Sequence, residues 1–573
     1  MTAPPVLVHP PFADPTQPYP SLPTLKSWLA AKGLDVRVVD LNVAAAHHLF
    51  ADVTLEALAT QVGARLLELD WRQDLDFEHQ RELLALVSAR ASAEQLLAMD
   101  PTPIAVFQDP DRFYDPLAYS WARLRSDALF EVLSATHFPF RFGWNHVTHH
   151  TVPWSFDLLA HYADGQSPLA AFYADFVRGL PDETPLVGIS VVFPSQIPDA
   201  LALARAVRQW RPGAFLILGG PCIHQVAVHL DPARQARLLT FCDAIGVFEG
   251  EATLEALLPR LPLPPGELAA ALRDVPNLLS LDGQGAPRFG PRWTLDPRIS
   301  PTPDFSDLDL DRYLAPSRTL LYAPTRGCYW GKCSFCYYGL AETATASYRE
   351  VPPEKAAEQL ADLQRQYGVD HFYLSCDVLS PSYAVRLAGA LLDRGVRITW
   401  SSDLKIERFF TPERCQRLFE AGLRAAAFGI ESGSDRILGL IRKGTDRATM
   451  TTVNRAFHDA GVATEWMTFT DHPTESVAEA LETVAWIAEE APQVDLFIVG
   501  QFGLERGSDI AKSPEAYGVQ SIHYAAGDDL RLYALFTQVG PPRSPDEVAR
   551  VDSAVNALSS RYALHPYPWA GAN

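Results

Sequence analysis

Three cysteines fall within nine residues, in the run Arg326-Gly327-Cys328-Tyr329-Trp330-Gly331-Lys332-Cys333-Ser334-Phe335-Cys336. Thiolates spaced Cys-x4-Cys-x2-Cys on one tight loop suit an iron–sulfur cluster. A [4Fe-4S] centre that only carries electrons takes four thiolates, one per iron. Cys328, Cys333 and Cys336 supply three. One iron is then left without a protein ligand, open to a substrate or cofactor. A structural zinc site would need a fourth ligand at matching spacing. The next cysteine, Cys376, lies forty residues on, with His371 near it. Glycine, lysine and arginine flank the loop, where a cluster of merely buried thiols would sit on an apolar stripe.

The composition bounds the rest. The chain has 573 residues, too many for one ordinary core, which suggests two or three domains. It is 47% hydrophobic and 20% charged, as expected of a soluble globular protein. A net charge of −21 disfavours nucleic acid and anionic membranes as partners. No apolar run approaches the ~18 residues of a membrane span. The N-terminal segment lacks the basic and apolar stretches of a secretory signal. An odd count of seven cysteines fits a reducing cytoplasm, where thiols serve clusters and not disulfides.

Two α/β regions must position these groups. The first spans residues 1–260. Strands are expected at 6–9, 36–39, 186–192, 214–218 and 244–247, with helices at 21–33 and 197–210. Alternation of this kind implies a parallel sheet with its ligand crevice at the carboxyl ends of the strands. Gly219-Gly220 and Glu249-Gly250-Glu251 fall at such ends. A mostly helical insertion of about 43–175 is too long for a loop. Its segment 138–154, dense in phenylalanine, tryptophan and histidine, reads as packed core, with a metal site the sharper alternative. Residues 261–317 are proline-rich and read as a connector with little regular structure.

The second region, 318–520, places the cysteine loop after a strand at 319–323. Further strands are expected at 370–375, 397–401, 424–430, 463–469 and 494–499, with helices at 353–366, 411–421, 446–460 and 476–490. Six such strands make a partial (β/α)6 barrel, with chemistry at their carboxyl ends. Residues 521–573 are left as a cap or tail.

The cysteine loop, with Phe335 before its last cysteine, resembles that of the radical SAM enzymes. Their usual spacing is Cys-x3-Cys-x2-Cys, one residue shorter in the first interval. Gly429-Ile430-Glu431-Ser432-Gly433 followed by Lys443-Gly444 resembles their fourth-strand motif. Residues 1–260 resemble the cobalamin-binding domain fused in front of that core in the B12-dependent branch. This rests on Pro10-Pro11-Phe12, the segment from Tyr19 to Pro23, Gly188-Ile189-Ser190 with Gln196, Gly219-Gly220, and Phe248-Glu249-Gly250-Glu251, in order. The Asp-x-His-x-x-Gly that supplies a cobalt ligand in methionine-synthase-like domains is missing. His9 is not in that context.

The resemblance implies a Rossmann-like cobalamin domain ahead of a radical SAM partial barrel. It implies cobalamin with a displaced nucleotide tail and no histidine on cobalt. Ser190, Gln196, Gly219, Gly220, Glu249, Gly250 and Glu251 would contact it. The three cysteines would hold the cluster and carry the catalysis. Phe335 would pack near the adenine of S-adenosylmethionine, and Asp377 would meet its ammonium. Ser402, Lys405, Glu431 and Ser432 would serve its ribose and carboxylate. Cys376 is a candidate quenching thiol, against a structural cysteine. The loop Asp471-His472-Pro473-Thr474-Glu475 is a candidate substrate contact. The implied activity is methyl transfer to an unactivated carbon of a peptide or small natural product, with flavodoxin or ferredoxin as electron donor. A rearrangement or cyclisation with the same cofactors is the alternative. A non-catalytic cobalamin sensor is a third reading, disfavoured by the open-iron cysteine triad.

Overall fold

The structure, a computed structural model, describes residues 3–97, 102–150, 154–262, 268–337 and 348–562, without the side chains of Asp52 and Asp377. The first sheet runs Arg37–Asp40, Val6–His9, Leu186–Ser190, Phe215–Gly219, Ala244–Gly246, Leu278–Leu281, Pro287–Phe289 in spatial order. Its first five strands are parallel. Val6–His9 and Leu186–Ser190 are buried along their whole length, as the continuous apolar runs of a parallel sheet require. The chain turns one way after Val6–His9 and the other way after Leu186–Ser190. That makes the gap between their carboxyl ends the switch point at which open α/β sheets bind ligands.

The last two strands correct the sequence reading of 261–317. Leu278–Leu281 and Pro287–Phe289 join the sheet edge antiparallel, around a turn at Asp282 and Gly285. Strands of four and three residues are too short to show an alternation.

Between the second and third strands lie the helices Leu41–Leu49, Asp52–Asp70, Phe77–Leu97 and Pro116–Thr136, then a hairpin of Phe140–Gly143 with His146–His149. Phe140 packs against Trp154 and Tyr162, and Trp144 against Phe50 and Phe130. These aromatics share one core with the sheet.

The second sheet has six parallel strands in chain order: Thr319–Tyr322, His371–Leu379, Thr399–Leu404, Leu423–Glu431, Ala463–Thr470 and Leu496–Gln501. The helices Pro353–Tyr367, Pro381–Asp393, Pro412–Glu420, Arg447–Asp459 and Val477–Glu490 alternate with them. Their starts are written locally. Ser380 and Thr411 cap helices that have proline in the first turn, and Ser476 with Glu479 forms a reciprocal capping box. Beyond the last strand come a hairpin, Val519–His523 with Leu535–Gln538, and the helix Pro545–Arg561, whose Leu558 enters the barrel core.

Candidate functional site

The cysteine loop leaves the first barrel strand through a two-residue ladder, Thr325–Arg326 against Arg349–Glu350. Cys328, Cys333 and Cys336 are partly exposed and take part in no disulfide. The Gly331 N–H donates to Cys328 Sγ at 3.5 Å. The loop is docked on the segment after the fourth strand. Ser334 donates its N–H to the Ile441 carbonyl and its hydroxyl to that of Leu440, and the Trp330 indole donates to Arg442 O at 3.0 Å. A Cβ on Gly444, at φ 73°, would meet the Trp330 ring at 2.1 Å, so only glycine fits there. The longer first interval thus places Trp330 against Gly444. The ammonium of Lys405 lies 4.2 Å from the centre of that indole.

Electrostatics join the loop to the barrel. Burial pushes the Cys333 thiol up, and the Lys443 charge works against it. Burial also penalises the Lys443 cation. Its ion pair with Glu431 at 2.7 Å and the nearby Cys333 overcome that and keep it charged. Glu431 itself sits at φ 68°, a conformation that costs a non-glycine residue about 1–3 kcal/mol and marks a constrained position. Lys405 pairs with Glu407 at 3.0 Å, and Tyr329 donates to the same carboxylate at 2.8 Å. Phe335 packs on Phe469, ring centres 5.3 Å apart.

Two of the anticipated S-adenosylmethionine contacts point elsewhere. Ser402 is 1% exposed and donates to Leu374 O at 3.1 Å on the neighbouring strand. Ser432 is fully buried, 3.4 Å from Thr483 Oγ1 and accepting the Ser434 N–H. The reason is strand parity. Side chains alternate between faces, and in Thr399–Leu404 the less buried face carries Ser401 and Asp403. The Asp377 side chain lies outside the described residues.

Two connected cavities open between the carboxyl ends of the sheets. The larger, about 700 Å³, is walled by His9, Tyr19 and Phe248 on one side and Arg326, Tyr373 and Asp403 on the other. Tyr373 donates to Asp403 at 2.6 Å. Burial pushes Asp403 above the usual carboxylate range, and Glu465 is pushed up by burial and the Asp403 charge. Glu505 and Arg506, after the sixth strand, also face this cavity. Sequence reasoning missed them, and it missed Asp403 by one residue of parity.

The smaller cavity, about 300 Å³, lies at the switch point. Gly188, Gly219, Gly220, Gly246 and Gly250 line this slot together with Ser190 and apolar side chains such as Leu7, Leu25 and Leu254. His224 borders it. Its Nδ1 accepts the Phe248 N–H at 3.2 Å, and its Nε2 is buried without a partner. Burial, helped by Arg292, pushes its pKa down to about 3, so the ring stays neutral with its proton on the unpartnered Nε2.

Gln196 reaches neither cavity. Fully buried, it accepts the Val192 and Phe193 N–H groups on Oε1 and donates to Pro10 O at 2.6 Å, clipping two strand-end loops together. That orientation turns its amide N–H toward His9 Nε2, 3.2 Å away. His9 must therefore accept there and carry its proton on Nδ1, and burial pushes it toward the neutral form. Glu249 and Glu251 border the smaller cavity with their carboxylates bound to arginine: Glu249 to Arg326 and Arg349, Glu251 to Arg326. Cys376 donates to Leu374 O at 3.4 Å. In the loop after the fifth strand, Glu475 and Asp471 pair with Arg543.

Comparison with known proteins places this arrangement. Residues 322–487 match the radical SAM superfamily. An uncharacterized methyltransferase of Pyrococcus horikoshii, PH0819, is 26% identical over 266 residues. The match covers 45% of this chain and 54% of that protein, so the chain spans about half the length of this curated relative. A structure of OxsB, a cobalamin-dependent S-adenosylmethionine radical enzyme with aqua-cobalamin and S-adenosylmethionine bound, matches at TM-score 0.58 and 12% identity. It covers 98% of this chain and 72% of that one. TsrM from Kitasatospora setae, a radical S-adenosylmethionine methyltransferase with cobalamin and a [4Fe-4S] cluster bound, matches at TM-score 0.56 and 13% identity, over 98% and 92%. At such identities the likeness is one of fold. Residues 322–487 are a radical SAM domain, and the chain as a whole has the fold of the cobalamin-dependent radical SAM enzymes.

Proposed function

We propose that the chain is a cobalamin-dependent radical SAM methyltransferase that transfers a methyl group to an unactivated carbon of a peptide or small natural-product substrate. One observation carries the reading: a slot lined by five glycines at the switch point of one parallel sheet adjoins the cavity beside the three-cysteine loop of the other, with Arg326 and Glu249 bordering both. The donor sets fit the groups. Three partly exposed cysteines on one loop, none in a disulfide, suit a cluster with an open iron. The orphaned Nε2–H of His224 suits an acceptor on a ring or amide in the slot. The methyltransferase activity named for TsrM and PH0819 supports the same class.

Bound there, the cluster and S-adenosylmethionine would supply a radical source and the corrin a transferable methyl group. The chain holds and orients them. Cys328, Cys333 and Cys336 would ligate iron, with Lys443 and Lys405 stabilising negative charge on the cluster. Glu431 and Lys443 would offer a charged pair to the amino and carboxylate groups of S-adenosylmethionine. Ser190, Gly219, Gly220 and Gly250 would receive the nucleotide tail of the corrin. With Gln196 occupying its Nε2, His9 is held away from ligating cobalt through that atom. Asp403, kept protonatable by burial and oriented by Tyr373, can hold or release a proton at the substrate face. Tyr19, Phe248 and Tyr337 exclude water. A flavodoxin or ferredoxin would supply electrons in a reducing compartment; among the described residues no helix is long and apolar enough to cross a membrane.

The test is an anaerobic reaction with S-adenosylmethionine deuterated in its methyl group and substrates drawn from the products of neighbouring genes. The expected result is labelled methyl on product carbon, with 5′-deoxyadenosine and S-adenosylhomocysteine in roughly equal amounts. An unlabelled product made alongside 5′-deoxyadenosine alone would discard methylation.

A further inference from the structure

The two residues at the base of the cysteine loop pose an electrostatic problem. Arg326 and Arg349 stand directly opposite each other across the ladder that closes the loop. Like charges so placed repel. The answer comes from the other sheet. Glu249 Oε1 lies 3.1 Å from Arg326 and 2.7 Å from Arg349, and Glu251 Oε1 lies 2.5 Å from Arg326. Neither carboxylate is free to move. The second oxygen of Glu249 accepts the Leu295 N–H at 2.6 Å, its carbonyl accepts from Asn277 at 3.0 Å, and the preceding Phe248 is fixed at φ 63°. Glu251 is 2% exposed at the start of its helix. Arg326 and Glu249 each border both cavities.

We infer that Glu249 and Glu251 form a clamp through which the corrin-side sheet sets the position of the cluster loop, so that filling the switch-point slot tightens the cluster site. They are positioning residues. Oε1 of each is spent on arginine and Oε2 of Glu249 on the Leu295 N–H, and the pocket's ligand contacts fall to the glycine backbone, Ser190 and His224. Without the clamp, two unneutralised arginines face each other at the hinge of the loop. The inference rests on the cobalamin-dependent reading above.

The test uses the full chain, anaerobically reconstituted with iron and sulfide, with and without hydroxocobalamin. The measurement is the rate of iron loss to bathophenanthroline, beside the Kd for hydroxocobalamin. In the wild type, hydroxocobalamin should slow iron loss at least five-fold. In Glu249→Gln/Glu251→Gln the corrin should bind within two-fold of wild type while that protection falls below two-fold. The milder Glu251→Gln leaves Glu249 bridging both arginines; it should give an intermediate protection, and it serves if the double variant does not fold. Wild-type protection in the variants would overturn the clamp. A ten-fold loss of corrin affinity would overturn it in the other direction, making the carboxylates corrin contacts. A wild type that holds its cluster but binds no corrin would overturn the cobalamin reading itself.

Discussion

At the residue scale the chemistry rests on a few side chains whose loss has separable consequences. The three cysteines close one loop and build no core, since the barrel's buried cluster lies elsewhere. Changing Cys328, Cys333 and Cys336 together to alanine should therefore abolish bound iron and 5′-deoxyadenosine formation and leave the thermal midpoint within a few degrees of wild type. Iron assay and calorimetry check both halves, and 5′-deoxyadenosine from the triple variant would refute the cluster assignment. Glu431→Ala should weaken S-adenosylmethionine binding by about 1.5–3 kcal/mol, the range of a charge-assisted hydrogen bond, without releasing corrin. Equilibrium dialysis of the reconstituted protein measures it. The electron paramagnetic resonance spectrum of the cob(II)alamin form should lack axial nitrogen splitting, because Gln196 occupies His9 Nε2 and the proton sits on Nδ1. Nitrogen coupling would show that a histidine or the corrin's own nucleotide base reaches cobalt, and would overturn the reading. The cysteine spacing, and the motif that puts Glu431 beside Lys443 near Cys333, could be read from the sequence. Ser402 was chosen where Asp403 faces the cavity, because a strand's phase is set by tertiary packing when neither face is plainly apolar.

At the scale of elements, the buried strands were legible because parallel strands covered on both faces are written as unbroken apolar runs, such as Val6–His9 and Leu186–Ser190. The edge strands Leu278–Leu281 and Pro287–Phe289 and the helix Pro381–Asp393 were not. The former are short, and the latter follows its strand after a single residue, Ser380. How the insertion joins the sheet was also hidden. Asp199, at the start of the helix Ile197–Trp210, is fully buried and accepts hydroxyls from Tyr162, Ser167 and Tyr173 at 2.7, 2.7 and 2.8 Å. Burial pushes its pKa up to about 6, and the three hydroxyls pull against that shift. The folded state thus holds this proton more tightly than the unfolded chain, whose carboxyl titrates near 3.8. The resulting stabilisation is fully present below pH ~4 and is lost as pH rises through about 6, a change of about 3 kcal/mol. Asp199→Asn carries no titrating group, so its stability relative to wild type should rise by about 2–3 kcal/mol between pH 4 and 7. Denaturant midpoints across that range measure it, and parallel profiles for the two proteins would contradict it.

At the scale of the whole molecule, function requires two sheets of separate topology to keep one cavity between their ends. Two stretches of chain hold them there. The connector before the barrel lays Asp307 on Lys26 at 2.8 Å and on the Val38 N–H at 2.8 Å, and places Tyr313 on Asp40 at 2.8 Å. The segment after the barrel returns to the insertion. The Asp529 carboxylate accepts the Phe156 N–H at 2.9 Å, and its own N–H donates to Trp154 O. Leu530, next in line, is fully buried in the apolar core of the first sheet and its insertion. A side chain supplied from beyond the barrel thus completes the core of the first half, coupling the two folds through apolar burial and not only through surface polar contacts. Leu530→Ala removes that anchor and leaves a cavity, at a cost of about 2–5 kcal/mol. Leu530 belongs to the core of the first sheet and its insertion and not to the barrel core, so the cost falls mainly on the first half. Calorimetry should therefore show the first half melting earlier and separating from the barrel, with hydroxocobalamin affinity reduced and cluster iron retained. A single transition at the wild-type midpoint would mean that the remaining contacts, those of the connector and the Glu249 and Glu251 pairs with arginine among them, hold the halves together without Leu530.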